Sequence, residues 1–278
     1  MEIDDLVLEA AKDVKPESGK MKAELFCDWL ISKGKFDSFL GSIREDTIIP
    51  VQFETAKTID RLKNADMYVS IGSYLALKGH MKEGEEVFKT ILTSTPNDTS
   101  ALNDYGTIIL NELLANYRAN KQWDRKRLEF AWKQISKAAT LDKEIHDEPL
   151  LLPAYENLCF LRAVEAAYYV QNEQNLTAFV MAWMSIEMTI YRIWYAYLKE
   201  NDYSKTKRDK LKGWKLSSII ELLFLSKCNP DFMKIKNDLD TLKGLRDDLL
   251  HGKSFEIPEG QTRRCIEVAL DIVNIKQK

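Results

Sequence analysis

The amino-acid sequence predicts an all-α protein, and three observations support that prediction. Apolar residues recur every three or four positions through most of the 278 residues, which is the period of an amphipathic helix. The alternation of apolar and polar residues that marks a half-buried strand is nearly absent. Hydrophobic side chains make up 45% of the chain and charged ones 30%, so the chain can bury a sizeable core, and its length favours two domains over one.

The N-terminal part is predicted to contain packing helices and no catalytic residues. Residues 4–13 and 20–33 have helical periodicity, and the second range places Phe26, Trp29 and Leu30 on one face. We therefore assign this part a structural role.

A helical repeat pattern follows from residue 64. Small residues, at intervals that let two helices cross closely, are interspersed with apolar ones, and the unit closes at a proline. A second unit opens in the same way, but its return helix, with Ala131, Ile135 and Ala138, begins about a dozen residues late. These units resemble tetratricopeptide repeats, which implies a short helical array that binds a protein or peptide partner or packs against another domain. The pattern is carried by Tyr68, Ile71, Gly72, Leu75, Gly79, Gly84, Phe88, Ile91 and Pro96, and then by Leu102, Tyr105, Gly106 and Ile109.

The end of the repeat region is marked by composition. A further helix over residues 154–170 is expected to cap the array, and the Gln- and Asn-rich residues 171–175 form the boundary before the last region. We divide the chain into an N-terminal helical segment, the repeats and a C-terminal bundle, at 1–63, 64–172 and 173–278.

Several classes of functional site are disfavoured by composition. The cysteines lie far apart without a Cys-x-x-Cys pair, so we expect buried thiols and neither a zinc site nor disulfides. The three histidines are equally scattered, and the sequence has no glycine-rich phosphate loop and no Gly-x-Ser-x-Gly. We therefore predict no cofactor and no metal site built from imidazole or thiolate, which leaves carboxylate-bound magnesium open. The cysteines are Cys27, Cys159, Cys228 and Cys265.

Hydropathy and the first residues predict a cytoplasmic protein. No run of about 18 apolar residues occurs, so we expect no membrane-spanning segment. Residues 1–5 are acidic where a signal peptide is basic, and a cytoplasmic location follows as the default.

One stretch late in the chain carries a candidate for catalysis. Residues 245–252 place an arginine and a histidine five positions apart at the end of a predicted helix, with Gly252 as its stop. At 100° per residue Asp247 and His251 share a helix face, whereas Arg246 lies roughly 140° from His251 and about 7.5 Å along the axis. An imidazole can move a proton near neutral pH and a guanidinium can hold an anionic phosphorane, which suits phosphoryl chemistry. The alternative is structural, because an Asp and a His four apart near a helix C-terminus pair locally.

Arg246, Asp247 and His251 resemble the signature of the HEPN superfamily, in which an arginine, often followed by a polar residue, and then a histidine end a late helix. The resemblance covers roughly residues 173–278 and includes a long helix whose apolar stripe is interrupted by Glu187. Because a carboxylate on a core-facing stripe needs a partner, Glu187 is either a satisfied structural acid or a group near Arg246.

The HEPN resemblance implies a metal-independent RNA endonuclease, active in defence or stress response. His251 would handle the proton of the ribose 2′-OH or of the leaving 5′ oxygen, Arg246 would stabilise the charged transition state and Asp247 would orient the histidine. The products would be a 2′,3′-cyclic phosphate and a 5′-OH. The alternative is a non-catalytic adaptor, in which the bundle dimerises or binds a nucleotide and the repeats recruit a partner.

A homodimer through the C-terminal bundle is part of the prediction. Members of the family commonly build the cleft across a two-fold dimer. The long helix that contains Glu187 also carries more large apolar side chains than one side of a helix can bury, which favours a self-complementary interface. These side chains are Trp183, Tyr191, Trp194, Tyr195 and Tyr197.

A run of cations in the last region is a candidate RNA track. Six basic residues fall within eleven positions and are opposed inside the run only by Asp209. Residues 173–278 contain 18 basic and 15 acidic side chains, whereas the rest of the chain is net −6, so a polyanion is favoured near the bundle. The alternative is a solvated loop, and Trp214 beside it could either stack on a base or anchor the core. We call these cations the basic run: Lys205, Lys207, Arg208, Lys210, Lys212 and Lys215.

Overall fold

A computed structural model of the protein describes residues 3–14, 23–45, 68–121, 123–211, 213–226, 230–253 and 256–274. These residues form helices joined by turns and loops, with no strand among them, and the all-α prediction is confirmed. Within the described ranges, no helix combines the length and the apolar character that crossing a lipid bilayer requires. The chain separates into two compact units, which divide between Ile108 and Ile109.

The first unit packs short amphipathic helices around aromatic side chains. Its described helices are α1 (Ile3–Val14), α2 (Ala23–Ser32), α3 (Phe36–Glu45), α4 (residues 68–77), α5 (Met81–Ser94) and the first half of α6 (Thr99–Arg118). α1, α2 and α3 pack on one another, and the first two lie where the sequence predicted helices. The Phe39 ring meets Phe26 and Tyr68 edge to face, with centroids 5.8 and 6.1 Å apart. Buried rings of this size dominate the apolar burial of a small unit.

α4 and α5 cross closely because glycines lie where they meet. A Cβ built on Gly84 would lie 2.6 Å from the Gly72 carbonyl oxygen, and one built on Gly72 would lie 3.0 Å from the Phe88 ring. Gly79 turns the chain between the helices with a φ of +93°, which favours glycine. The predicted role of these small residues, close helix crossing, is confirmed, whereas the resemblance to tetratricopeptide repeats stays a prediction.

The second unit is a helical bundle centred on two long helices. Its described helices are the rest of α6, α7 (Arg125–Ile145), a 3-10 turn (Pro149–Leu151), α8 (Pro153–Gln171), α9 (Asn175–Glu200), α10 (Lys205–Leu211), α11 (Leu216–Leu225), α12 (Pro230–Leu250) and α13 (Glu259–Val273). α8, α9 and α13 pack on one another, and α7 packs on α8. α10 and α11 cover α9, and α12 packs on α11 and α13.

The predicted boundary at residues 171–175 is a turn inside the second unit. Glu173 adopts a φ of +59°, and the chain reverses there from α8 into α9. The Ser185 hydroxyl of α9 donates to the Cys159 carbonyl of α8 over 2.7 Å, so the two helices are joined closely. α7 and α8, which we assigned to the repeats, thus belong with the bundle, and the two units divide within α6. Polar residues mark this segment because a helix reversal needs the same residue types as a linker.

Three of the four cysteines are buried thiols, as predicted. Burial raises the pKa of Cys27 to about 12 and that of Cys159 to about 11, and it raises the pKa of Cys265 as well. Thiols with a raised pKa are poor nucleophiles. Cys228 lies outside the described residues.

The tryptophans of α9 and one of its tyrosines are buried inside the chain and are not exposed for a partner to bind. Trp183, Trp194 and Tyr195 are buried within the chain, contrary to our expectation from the sequence, because α9 is covered by several neighbouring helices and not by one. The apolar side chains that α9 does expose recur four positions apart. We call them the α9 stripe: Leu176, Val180 and Met184.

Candidate active site

Arg246 lies on α12 just beyond the last buried position of the apolar face of that helix. Phe232, Ile235, Leu239 and Leu242 are buried at helical spacing. Arg246 follows Leu242 by one turn on the same face, but no residue of α12 after Leu242 is buried. The Arg246 side chain is therefore partly exposed, at 34%, at the edge of the core.

Two carboxylates hold the Arg246 guanidinium. Its Nη2 lies 3.2 Å from Glu187 Oε1 on α9, and its Nη1 lies 2.9 Å from Asp247 Oδ1. These contacts use one N–H on each terminal nitrogen, whereas a guanidinium has five N–H donors. The donors that remain can bind the oxygens of an anion. Glu187 therefore has the partner that a carboxylate on the α9 apolar face requires, and this partner is Arg246.

Asp247 is paired with two cations. Its Oδ2 accepts a hydrogen bond from Lys243 Nζ over 2.7 Å, one turn earlier on α12. Hydrogen bonds from Lys243 and Arg246 lower the pKa of the Asp247 carboxyl, so this group is ionised at neutral pH. Lys243 lies one turn before Asp247 on the same helix face, so its ammonium takes the carboxylate that we had expected to contact His251. Our prediction from the sequence omitted Lys243, although its spacing of four residues from Asp247 is a recognisable signal.

His251 lies exposed at the C-terminal end of α12. Its backbone N–H donates to the Asp247 carbonyl over 3.0 Å, and Gly252 then reverses the chain with a φ of +67°. The N–H groups of the next two residues donate to earlier carbonyls over 3.1 and 2.8 Å, which is the pattern of a Schellman C-cap. The predicted helix stop at Gly252 is confirmed. Among the described residues none hydrogen-bonds to the His251 imidazole. The orienting role that we predicted for Asp247 is therefore not supported by a hydrogen bond between the two side chains.

The structure therefore brings four of these side chains together and leaves the histidine apart. Lys243, Asp247, Arg246 and Glu187 form a chain of alternating charges that joins α12 to α9. The four formal charges sum to zero, so an anion that approaches Arg246 meets a neutral cluster in which the guanidinium and the Lys243 ammonium both keep unused N–H donors. His251 stands one turn further along α12, towards solvent.

Two cations of the basic run are paired with acids elsewhere in the second unit. Arg208 is only 11% exposed; it contacts Glu148 and lies over the Tyr195 ring, 5.3 Å from its centroid. Lys205 lies 2.9 Å from Asp147, and this hydrogen bond lowers the pKa of the Asp147 carboxyl. Both cations fasten α10 to the segment before α8. Arg208 is therefore occupied inside the fold, and the RNA contact that we predicted for it is blocked in this arrangement.

The rest of the described basic run faces solvent. Lys207, Lys210 and Lys215 are exposed, and none of the three forms an ion pair with another described residue. Lys212 lies outside the described residues. We expected Trp214 either to stack on a base or to anchor the core, and it has features of both. It is 44% exposed, and it stacks on a buried tryptophan of α9.

Comparisons with known proteins identify no relative. No protein-family model, curated protein or solved structure matches this chain. Nor do the described residues contain a cluster of three or more side chains that could hold a metal ion.

Proposed function

We propose that this chain is a metal-independent RNA endonuclease of HEPN type, acting in the cytoplasm in defence or stress response. The observation that carries the proposal is the Arg246 guanidinium, which two carboxylates hold at the edge of the core with N–H donors to spare. A donor that is already held in place stabilises developing negative charge without reorganising. His251 is exposed one turn further on, accessible to a substrate proton.

The proposed reaction is a transesterification within RNA. The imidazole of His251 takes the proton from a ribose 2′-OH, and the 2′ oxygen attacks the adjacent phosphorus. The bond to the 5′ oxygen breaks, and the leaving oxygen takes a proton from a second imidazole. Arg246 binds the nonbridging oxygens as charge accumulates on the phosphorane. The products are a 2′,3′-cyclic phosphate and a 5′-OH, and every proton transferred comes from or goes to a histidine.

A homodimer supplies the second imidazole in this proposal. Arg246 is on α12 and His251 directly follows its last residue, so continuing the helical period places the two roughly 140° apart, and one chain does not aim both at the same phosphate. The α9 stripe is the surface that we assign to the dimer, because its three apolar side chains are exposed on the α9 face that also carries Glu187. At 100° per residue these four positions fall within about 80° of one another. A two-fold contact there would bring two copies of the Arg246 site close together.

A non-catalytic adaptor is the second candidate function. The alternating chain formed by Lys243, Asp247, Arg246 and Glu187 is also the arrangement of an ion-pair network that joins two helices. In this alternative the bundle dimerises, the repeats bind a protein or peptide partner, and Arg246 has no chemical role. The two candidate functions predict different results for the removal of His251. A nuclease loses RNA cleavage, whereas an adaptor changes only in local structure.

Cleavage of single-stranded RNA in excess EDTA tests the proposal. The wild-type protein should leave a cyclic phosphate, and DNA should not be cut because it lacks the 2′-OH. His251→Ala should lose on the order of 10² to 10⁴ in rate, as expected when a general acid or base is removed. His146→Ala is the matched control, because His146 also follows the end of a helix, α7, and is exposed.

Three outcomes would contradict the nuclease. They are cutting only with added divalent metal, equal cutting of DNA, and equal losses in the two histidine variants. A protein that dimerises but cuts no RNA would favour the adaptor.

A further inference from the structure

A cavity lined by aromatic and apolar side chains opens beside the C-terminal end of α9. Its volume is about 530 Å³, and it lies between α9, α10 and α11. Four of its large lining side chains are exposed to solvent: Trp214 at 44%, Tyr203 at 40%, Leu222 at 37% and Leu225 at 70%. Contiguous apolar surface that a folded chain leaves exposed often marks a binding site.

The rings of this cavity form a stack that ends in an exposed indole. Trp194 is buried and lies 5.7 Å from Tyr197 with 15° between the planes, and 6.3 Å from Trp214 with 30° between the planes. The Trp194 Nε1–H donates to the Leu211 carbonyl over 3.2 Å, and the Tyr191 hydroxyl donates to the Trp214 carbonyl over 3.4 Å. The stack is therefore held before any ligand arrives, which lowers the entropy lost on binding. A planar ring placed on the open face of Trp214 would extend it.

The charges around this cavity favour an anionic ligand. None of the described residues that line it is charged. Lys207 lies one turn before the lining residue Leu211 on α10, within about 40° of it, and Lys215 directly follows Trp214. Both lysines are exposed and make no ion pair with a described residue.

Two acids directly precede lining residues: Glu221, which is paired, and Asp202 before Tyr203, which is exposed and offsets one of the two lysines. Glu221 precedes the lining residue Leu222, and its Oε1 lies 3.1 Å from Lys236 Nζ. A ligand with planar rings and a negatively charged backbone matches both the stack and the lysines. An apolar helix would match only the cavity walls.

One lining residue of the cavity, Trp194, lies on the same helix as Glu187, the partner of Arg246. Trp194 follows Glu187 by seven residues on α9, so the two positions share a helix face within about 20° and are about 10.5 Å apart along the axis. Trp194 itself is buried, so a chain of nucleotides would meet the ring stack at the exposed Trp214 and the guanidinium at Arg246.

We propose that this cavity binds an unpaired base of single-stranded RNA, stacked on Trp214, next to the phosphate held by Arg246. The inference deepens the proposed nuclease function and rests on it for the identity of the ligand as RNA. Lys207 and Lys215 bind the phosphates on either side of the stacked base. The specificity of the enzyme is then for RNA that is unpaired at this position, since a base in a duplex cannot turn onto the indole.

Binding of an uncleavable RNA to Trp214→Leu tests the inference apart from catalysis. The probe is a labelled single-stranded oligonucleotide with 2′-O-methyl riboses, followed by fluorescence anisotropy. Trp214→Leu should weaken binding about 5- to 150-fold, the range for losing one base–aromatic stack, and Trp214→Phe should recover part of the loss. Trp132→Leu is the matched control, because Trp132 is equally exposed, at 44%, on α7. An oligonucleotide without bases should bind the wild-type protein and Trp214→Leu with equal affinity.

The outcomes separate this inference from the proposed function. Unchanged affinity in Trp214→Leu, with RNA still cut by the wild type, would overturn the stacking site and leave the nuclease standing. Equal losses of RNA affinity in Trp214→Leu and Trp132→Leu would also overturn the stacking site. So would a Trp214→Leu protein that keeps its RNA affinity but no longer binds a protein partner or self-associates. RNA binding that depends on Trp214, without any RNA cleavage in EDTA, would support the stacking site and contradict the nuclease.

Discussion

Replacing Glu187 with glutamine tests whether this carboxylate positions Arg246 for catalysis. The substitution keeps the shape of the side chain and removes its charge, so Arg246 retains Asp247 and loses its charged partner on α9. If the guanidinium acts on a phosphorane, it must stay within a narrow range of positions, and a strong contact on only one side no longer fixes it.

The structure allows the stability and activity effects of Glu187→Gln to be estimated separately. The Glu187 and Arg246 side chains are 27% and 34% exposed, and one contact of 3.2 Å joins them. A partly exposed pair of this kind contributes about 0 to 1 kcal/mol to the free energy of unfolding, because solvent screens it. A misplaced transition-state donor, in contrast, lowers the rate on the order of 10², which is about 2.7 kcal/mol in the activation barrier. The expected loss in rate therefore exceeds anything that the loss in stability can explain.

Asp238→Asn is the matched control for Glu187→Gln. Asp238 also lies in a partly exposed ion pair between bundle helices, in which its Oδ2 is 2.5 Å from Arg264 Nη2 on α13. Urea denaturation and RNA cleavage in EDTA should be measured on both variants. Equal cleavage by the two variants, or wild-type cleavage by Glu187→Gln, would refute a positioning role for Glu187. A drop in the free energy of unfolding as large as the rise in the activation barrier would refute it too.

Other parts of the chain offer three further tests. Val180→Asp should give a monomer by sedimentation and abolish cleavage, because a charge in the α9 stripe opposes an apolar dimer contact; a dimeric variant would place the contact elsewhere. Lys207→Gln with Lys215→Gln should lower the log–log salt slope of RNA binding by about 1.4, at about 0.7 per lost phosphate contact, and an unchanged slope would mean that neither lysine touches the backbone. Gly84→Ala should lower the free energy of unfolding by about 1 to 3 kcal/mol because its Cβ has no room, whereas Gly41→Ala, with open space around it, should be neutral or stabilising in the same urea titration.

Local features of the fold could be predicted from the sequence. Helical periodicity located α1, α2 and α8 within a few residues, because the apolar stripe of a helix is set by neighbouring positions along the chain. The stop at Gly252 followed from the same local logic, since a positive φ favours glycine whatever surrounds it. The close crossing at Gly72 and Gly84 was also predictable, because glycine destabilises a helix interior and is favoured there mainly where a second helix packs tightly against it.

Features that depend on distant partners could not be predicted. The basic run looked uniform in the sequence, yet Arg208 finds Glu148 and Lys205 finds Asp147, each about sixty residues earlier in the chain. Nothing local distinguishes these cations from Lys207, which finds no such partner among the described residues. The surplus aromatic surface expected on α9 disappears for the same reason, because the number of helices around it is a property of the whole bundle.

α9 links the three proposed functions of the bundle and keeps them spatially separate. Val180 precedes Glu187 by seven residues and Trp194 follows it by seven, so the dimer contact and the buried end of the ring stack lie about 10.5 Å from Glu187, the partner of Arg246, in opposite directions along α9. In this arrangement a second protein chain at Val180 and an RNA base on Trp214 use different surfaces. The double variant Val180→Asp, Trp214→Leu should then lose affinity for the uncleavable RNA by the product of the two single effects, as independent sites do. If Val180→Asp alone weakens binding but the double variant is no weaker than Trp214→Leu alone, the stack binds RNA only within the dimer, and the base would then lie between the two chains.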